Sequence, residues 1–236
     1  MRGLDFFDVL QRFGKFSELH CRFYISCILL VMEHLHEKHI VYRDFKPENI
    51  IIDEEGYPKL IDFGASKIIS GRTFTTIGTP QYMAPEVISG TGYSHSADYW
   101  TLGVMLYELA TGRLPFGSEQ TNHLRIYEAV LKGQYELKGL NEKSRSLVEL
   151  LLDSRPIMRG SAATIKNHEF FKGVEWDSLL TKSSISPYTP SLTSINREVT
   201  SACQMRNSVW KLINKEEGGD ISRNPPRCMK NWDDDF

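Results

Sequence analysis

The run Tyr42-Arg43-Asp44-Phe45-Lys46-Pro47-Glu48-Asn49 brings a carboxylate, an ammonium group and a carboxamide close together in the chain. The triplet Asp62-Phe63-Gly64 adds a second carboxylate, and Ala84-Pro85-Glu86 follows it. Carboxylate and carboxamide oxygens are hard ligands of the kind Mg²⁺ prefers. A lysine between them is a compact cation suited to an anionic group, and a positioned aspartate can accept a proton. Any one triplet arises by chance at roughly one in ten thousand positions. Three in this order, the middle one directly after a hairpin, are far more specific. The competing account of Asp44, Asn49 and Asp62 is turn and capping chemistry around that hairpin.

The elements that must hold these residues are mainly helical. Residues 3–13 read as a short amphipathic helix. Ser17 is an N-cap for a long helix over about 18–38. In that helix Leu19, Phe23, Cys27, Val31 and Leu35 recur every four residues, and Tyr24, Ile28 and Met32 widen the stripe. All eight are expected in the core. Two β-rich runs, Ile50-Ile51-Ile52 and Lys59-Leu60-Ile61, flank a polar turn with Gly56 and Pro58 and predict a small hairpin. A lone hairpin is marginal in water, so it must pack on helices. Residues 65–97 are rich in Thr, Gly, Ser and Pro and have no sustained period. A stretch of that kind inside a compact chain is functional or disordered. Residues 98–111 are apolar almost all round, the pattern of a buried central helix, and Gly112 and Pro115 end it. Further helices are expected at 122–132, 141–153 and 164–171. After about 172 the chain becomes a Ser-, Thr- and Pro-rich tail, with a helix candidate at 196–214.

Composition bounds the rest. The chain has 236 residues, 41% hydrophobic and 25% charged, so it can bury a sizeable core. Its formal charge of −2 argues against a strongly basic nucleic-acid binder and gives no pull towards an anionic membrane. The longest apolar run, Cys27 to Met32, is too short to cross a bilayer, and Asp5 and Asp8 stand where a signal peptide would be apolar. The cysteines (Cys21, Cys27, Cys203 and Cys228) show no C-x-x-C spacing, which argues against zinc. Cys21 and Cys27 share one predicted helix, roughly 9 Å apart along its axis, too far for a disulfide. The expectation is a soluble, reduced, cytoplasmic protein.

Taken together, the three motifs match the protein-kinase signature set. The chain resembles the large, C-terminal lobe of a protein kinase, a fold mainly α with a small β-hairpin. Lys46-Pro47-Glu48 resembles the serine/threonine form of the loop. Tyr42 and the run Gly78-Thr79-Pro80-Gln81-Tyr82 resemble the AGC group, whose tail would occupy 172–236 after a lobe at 1–171. Ser96-Ala97-Asp98-Tyr99-Trp100 and the terminal Trp232-Asp233-Asp234-Asp235-Phe236 look most like the cyclic-GMP-dependent protein kinases. The likeness is close from residue 3 to about 119, weaker to about 176, and beyond that rests on Ser186-Pro187-Tyr188-Thr189-Pro190 and the last residues.

That resemblance implies ATP and Mg²⁺ as cofactors and transfer of the γ-phosphoryl group to protein serine or threonine. Asp44 would orient the substrate hydroxyl and accept its proton, and Lys46 would follow the transferring group. Asn49 and Asp62 would hold the metal. Ile51 falls beneath the adenine ring and Asp5 near the ribose. Thr75 matches the activation-loop phosphosite, with Arg43 and Lys67 as the cations that would clamp its phosphate. Glu48 and Glu108, with Asp5 nearby, match positions that read substrate arginines, so protein substrates with basic residues before the Ser or Thr are implied. Thr79 would lie beside Asp44 and Lys46. Glu86 would pair with Arg159, and Asp98 would hold the catalytic-loop backbone.

The sequence also departs from the family pattern. Met1 falls at the hinge, so a small lobe with its glycine-rich loop, lysine and glutamate is expected upstream, as are regulatory domains. Gln81 and Ile77 replace a usual Glu and Cys, the segment after Arg159 is short, and the tail lacks an acidic aromatic segment. The alternative function is that of a truncated, non-catalytic kinase fragment or pseudokinase acting as a binding module.

Overall fold

The computed structural model describes residues 3–117, 122–191 and 193–194. Asp5 serves two elements at its start. Its backbone, with that of Leu4, forms β1 (Leu4–Asp5), and its side chain accepts from Phe7 N at 2.8 Å to cap α1 (Phe6–Phe13). The expected helix over 3–13 is thus corrected at its first residues, which join a sheet instead. Ser17 caps α2 (Glu18–Glu37) by accepting from His20 N, as its residue type leads one to expect. Most of the apolar stripe on α2 is buried, but Val31 is only partly so and Leu19 is 63% exposed.

After α2 comes β2 (Ile40–Val41), then β3 (Ile50–Ile52) and β4 (Pro58–Leu60), which pair antiparallel with Ile50 opposite Leu60. Leu4 lies opposite Ile52, so β3 is the centre of a three-stranded sheet, where a two-stranded hairpin was expected. Pro58 sits on the edge strand, where its missing N–H breaks no interior ladder. Within residues 65–97, β5 (Lys67–Ile68) pairs with β2, and α3 (Pro85–Ile88) adds one turn of helix.

The centre of the lobe is α4 (Ser96–Thr111), in which every residue from Ala97 to Leu109 is buried. A helix without a polar face must be surrounded: α2 lies on one side and α6 on another. Gly112 (φ 73°) ends α4 in the left-handed conformation. Trp100 is fully buried and stacks on Phe116 with ring centroids 5.6 Å apart. Then follow α5 (His123–Lys132), α6 (Glu142–Leu151), α7 (Ala162–Lys166) and α8 (Trp176–Leu180). The helix expected at 164–171 is in fact α7 followed by a separate 3₁₀ turn at Glu169–Phe171. The helix α8 falls where only tail was expected, with Leu179 buried. The helix candidate at 196–214 and the terminal run Trp232–Phe236 lie outside the described residues.

Cys21 and Cys27 are free and buried on α2, and burial pushes each thiol up to about 12. Among the described residues no helix is long and apolar enough to cross a membrane.

Candidate active site

The loop between β2 and β3 carries the first motif, and Asp98 anchors its beginning. From the first turn of α4, Asp98 Oδ2 accepts Tyr42 N at 3.1 Å and Oδ1 accepts Arg43 N at 2.9 Å. His36 Nε2 donates to Asp98 Oδ2 at 2.8 Å from the end of α2. A wholly buried carboxylate needs such donors to offset its lost hydration. Arg43 itself has φ 73°, a left-handed backbone uncommon for a long side chain, and it directly precedes Asp44.

Asp44 is bonded through both carboxylate oxygens. Oδ1 accepts Thr79 N at 3.0 Å and Thr79 Oγ1 at 2.8 Å. Oδ2 accepts Asn49 Nδ2 at 2.8 Å and lies 2.9 Å from Lys46 Nζ. Lys46 Nζ closes the ring by donating to Thr79 Oγ1 at 2.6 Å. Thr79, thirty-five residues on, therefore rests a hydroxyl on the carboxylate, in the manner of an incoming alcohol. The Asp44 and Lys46 side chains keep 16% and 19% of their surface in solvent, so a second molecule can reach them.

Asn49 lies in a 3₁₀ turn (Pro47–Asn49) that runs straight into β3. Its amide nitrogen donates to Asp44 O and Oδ2, and its side-chain oxygen takes no hydrogen bond among the described residues. Ile61 N donates to Asn49 O at 2.9 Å, so the hairpin brings the residue before Asp62 back to the residue before β3. Asp62 has φ 57°, and its Oδ1 accepts Gly64 N at 2.9 Å, while Oδ2 takes no hydrogen bond among the described residues. Tyr42 spans the two carboxylates: its hydroxyl donates to Ile61 O at 2.5 Å, its ring meets Phe63 edge-on, and burial, then Asp44 and Asp62, push its phenol up. Carboxamide and carboxylate oxygens of this kind are ligands that a hard divalent cation prefers.

Asp5 lies opposite Ile51 in the β1–β3 register, and burial raises its carboxyl. Glu108 is buried, and the Tyr82 hydroxyl donates to its Oε2. Burial first, with the Glu48 charge adding, raises Glu108 to about 7 despite that hydrogen bond. Glu48 is exposed. Thr75 is exposed, and its carbonyl accepts Tyr93 OH at 2.7 Å; the same hydroxyl lies 3.4 Å from Arg43 Nη1. Lys67 is elsewhere engaged, donating to Thr73 Oγ1 at 3.2 Å.

Residues 1–171 match the protein kinase domain family. The chain belongs to that family. The fold is the protein-kinase fold, in its mainly α part. The chain is 38% identical to a cGMP-dependent protein kinase of Plasmodium berghei (strain Anka) over 241 residues, 99% of this chain and 27% of that protein. It is 40% identical to a cGMP-dependent protein kinase of Eimeria tenella over 195 residues, 80% of this chain and 19% of that protein. Against the cAMP-dependent protein kinase catalytic subunit 2 of Drosophila melanogaster it is 36% identical over 199 residues, 82% of this chain and 56% of that protein. It thus spans well under two thirds of each of these relatives.

In this kinase-family lobe, the segment holding Thr75, Thr79 and Tyr82 is tied down at its far end. Arg159 Nη1 and Nη2 donate to Glu86 Oε1 and Oε2 at 2.5 and 2.9 Å, a two-pronged pair with both side chains buried. Arg159 also donates to Asp153 O and Ser96 O and lies over the Trp100 ring at 5.0 Å. Three further residues went unread in the sequence: His36, Tyr82 and Tyr93. Tyr82 stands inside a recognised run, yet its partner, Glu108, comes from a helix 26 residues away.

Proposed function

We propose that the chain is the catalytic large lobe of a serine/threonine protein kinase of the cyclic-GMP-dependent type, passing the γ-phosphoryl group of ATP to protein serine or threonine. The observation that carries this reading is the closed set of contacts among Asp44, Lys46, Asn49 and Thr79. Catalysis of phosphoryl transfer is positioning and charge stabilisation more than covalent chemistry, and these contacts position. In this reading Asp44 orients the substrate hydroxyl and takes its proton, and Lys46 stands beside it as the cation nearest the transferred group. Asn49 and Asp62 would hold Mg²⁺, which when bound neutralises phosphate charge. Ile51 lies under the adenine, and its β-partner Asp5 meets the ribose, which their shared register supports.

Phosphorylation of Thr75 would add about −1.5 to −2 charge. Arg43, already linked to the Thr75 backbone through Tyr93, would draw that charge onto the catalytic loop. Lys67 can join only by leaving Thr73. Residues 172–236 act as the tail of the lobe at 1–171. A cytoplasmic location goes with free, buried thiols at Cys21 and Cys27.

The substrates in this reading carry Arg or Lys two or three residues before the target. The support is Glu48 and Glu108, two acidic side chains close enough for one to raise the other. Because Glu108 titrates at about 7, its charge is largely absent at pH 6 and largely present at pH 8. For the enzyme joined to a relative's small lobe, the ratio of kcat/KM for arginine over neutral peptides should therefore rise about tenfold between those pH values. Glu108→Gln should make that ratio flat. A ratio that rises equally in both proteins would assign the titration to another group. The reading as a whole is tested by ³²P transfer from ATP to an arginine-containing serine peptide in the same joined protein. Transfer is expected, and its absence in a folded, nucleotide-bound sample would count against the reading.

A further inference from the structure

The segment 182–190 crosses the turn of the β3–β4 hairpin like a strap. Lys182 Nζ reaches both Asp53 Oδ2 and Glu55 Oε2 at 2.7 Å. Tyr57 OH donates to Ser184 O at 2.5 Å. Ser186 is 9% exposed; its Oγ lies 3.0 Å from Gly56 O and 2.8 Å from Tyr188 O and accepts Tyr188 N at 3.3 Å. The Tyr188 ring meets Phe13 edge-on at 5.3 Å. Contact at the turn is close enough to require Gly56 (φ 87°): a Cβ there would stand 2.2 Å from Tyr188 O and 2.4 Å from Ser186 Oγ.

Residues 182–184 are tied by backbone hydrogen bonds to Ser178 and Leu179, and beyond Ser184 the strap is held by side chains. Among the described residues no backbone–backbone hydrogen bond joins 185–190 to the rest of the chain, and Ile185 is 94% exposed. Segments held in this way open at low free-energy cost. Once open, the segment presents Ser186-Pro187 and Thr189-Pro190, two hydroxyl residues each followed by proline, with the residue before each proline biased to extended backbone.

We propose that Ser186 is a phosphorylation site for a proline-directed serine/threonine kinase, and that its phosphate keeps the strap off the hairpin. In the step itself, Ser186 Oγ forms a bond to the γ-phosphorus of ATP held by the modifying kinase. The bond from that phosphorus to the β–γ bridging oxygen breaks, ADP leaves, and the hydroxyl proton passes to the modifying kinase's base. The phosphoserine then carries about −1.5 to −2 charge and three bulky acceptor oxygens. Back in the closed strap, that phosphate would face the carbonyl oxygens of Gly56 and of Tyr188 in the strap itself, with the carboxylates of Asp53 and Glu55 beyond. Lys182 is already shared between those two carboxylates, and Lys59 Nζ lies 3.4 Å from Asp53 Oδ2. Tyr188 N and the neighbouring Tyr24 hydroxyl are too few donors for a desolvated dianion. The closed position is therefore disfavoured for the phosphorylated strap, because both lysines would have to leave their carboxylates to meet it.

The consequence for activity rests on the function proposed above. The strapped hairpin carries Ile51 and ends at Asn49 and Asp62, so release loosens the floor of the nucleotide site. Modification and release themselves do not depend on that reading.

The test incubates the full chain with a purified proline-directed kinase and Mg·ATP. Phosphosites are mapped by mass spectrometry, and trypsin cleavage after Lys182 reports strap opening. Phosphate is expected on Ser186, with faster cleavage after Lys182 in the modified chain. Tyr57→Phe removes one strap hydrogen bond and should speed Ser186 modification roughly two- to tenfold. Ser186→Ala should leave cleavage after Lys182 unaffected by the kinase. Phosphate on Thr189 alone, or on neither residue even in Tyr57→Phe, would overturn the proposal. So would Ser186 phosphate that appears without the added kinase, or one that leaves cleavage unchanged.

Discussion

Asp44→Asn is expected to lower kcat by about 10²–10⁴ in the chain joined to a relative's small lobe, the range a positioned general base contributes. Peptide KM should change little, because the substitution leaves both Glu48 and Glu108 in place. The replacement keeps size and shape but loses the charge and the proton acceptor. It also puts an NH₂ where Thr79 N, Asn49 Nδ2 and Lys46 Nζ now converge on carboxylate oxygens, so part of the contact set becomes donor against donor. Circular dichroism should remain that of the parent, since Asp44 is at the surface of the core. Unchanged turnover would remove Asp44 from the chemistry. Loss of helical signal along with turnover would make it a structural residue.

The second large effect is on stability. Glu86→Ala should destabilise the lobe by about 3–5 kcal/mol, because it leaves the Arg159 guanidinium buried without its charge partner. For a chain of this size that corresponds to a fall in Tm of roughly 6–20 °C. Replacing both partners with apolar residues, as in Glu86→Leu with Arg159→Met, should recover much of the loss, since no lone charge remains. Thermal denaturation of the two variants and the parent decides it. A fall of a degree or so in Glu86→Ala would mean that water or another group takes over the guanidinium, and the pair would not be what ties Thr75–Tyr82 to the late helices.

The contacts of Asp44 with Lys46 and Asn49 were legible in the sequence because the three stand within six residues of one another. Asp44 to Asn49 is six residues of which only Pro47–Asn49 form a helical turn, and Asp62 follows a hairpin short enough to recognise. What could not be read depends on partners far along the chain. The strand β1 is two residues long and exists only because β3 offers it a register. Tyr82 and His36 acquire their roles from Glu108 and Asp98, which α4 brings to them. Leu19 shows a different failure. Residues four apart on a helix rotate by about 40° at each step, so a row from Leu19 to Leu35 winds off the buried face. The end that lies over solvent is Leu19, at 63% exposure, while Leu35 is buried. The short helix α8 has too few residues to display a period at all.

Paramagnetic broadening shows whether Asn49 and Asp62 present a metal and its nucleotide to Asp44. Mn²⁺ substitutes for Mg²⁺ and is titrated with millimolar ATP into the ¹⁵N-labelled chain. Selective loss of the Asn49 side-chain amide and Gly64 backbone signals is expected, dependent on nucleotide and abolished by Asp62→Asn. Broadening that spares both signals, or that persists unchanged in Asp62→Asn, would contradict it.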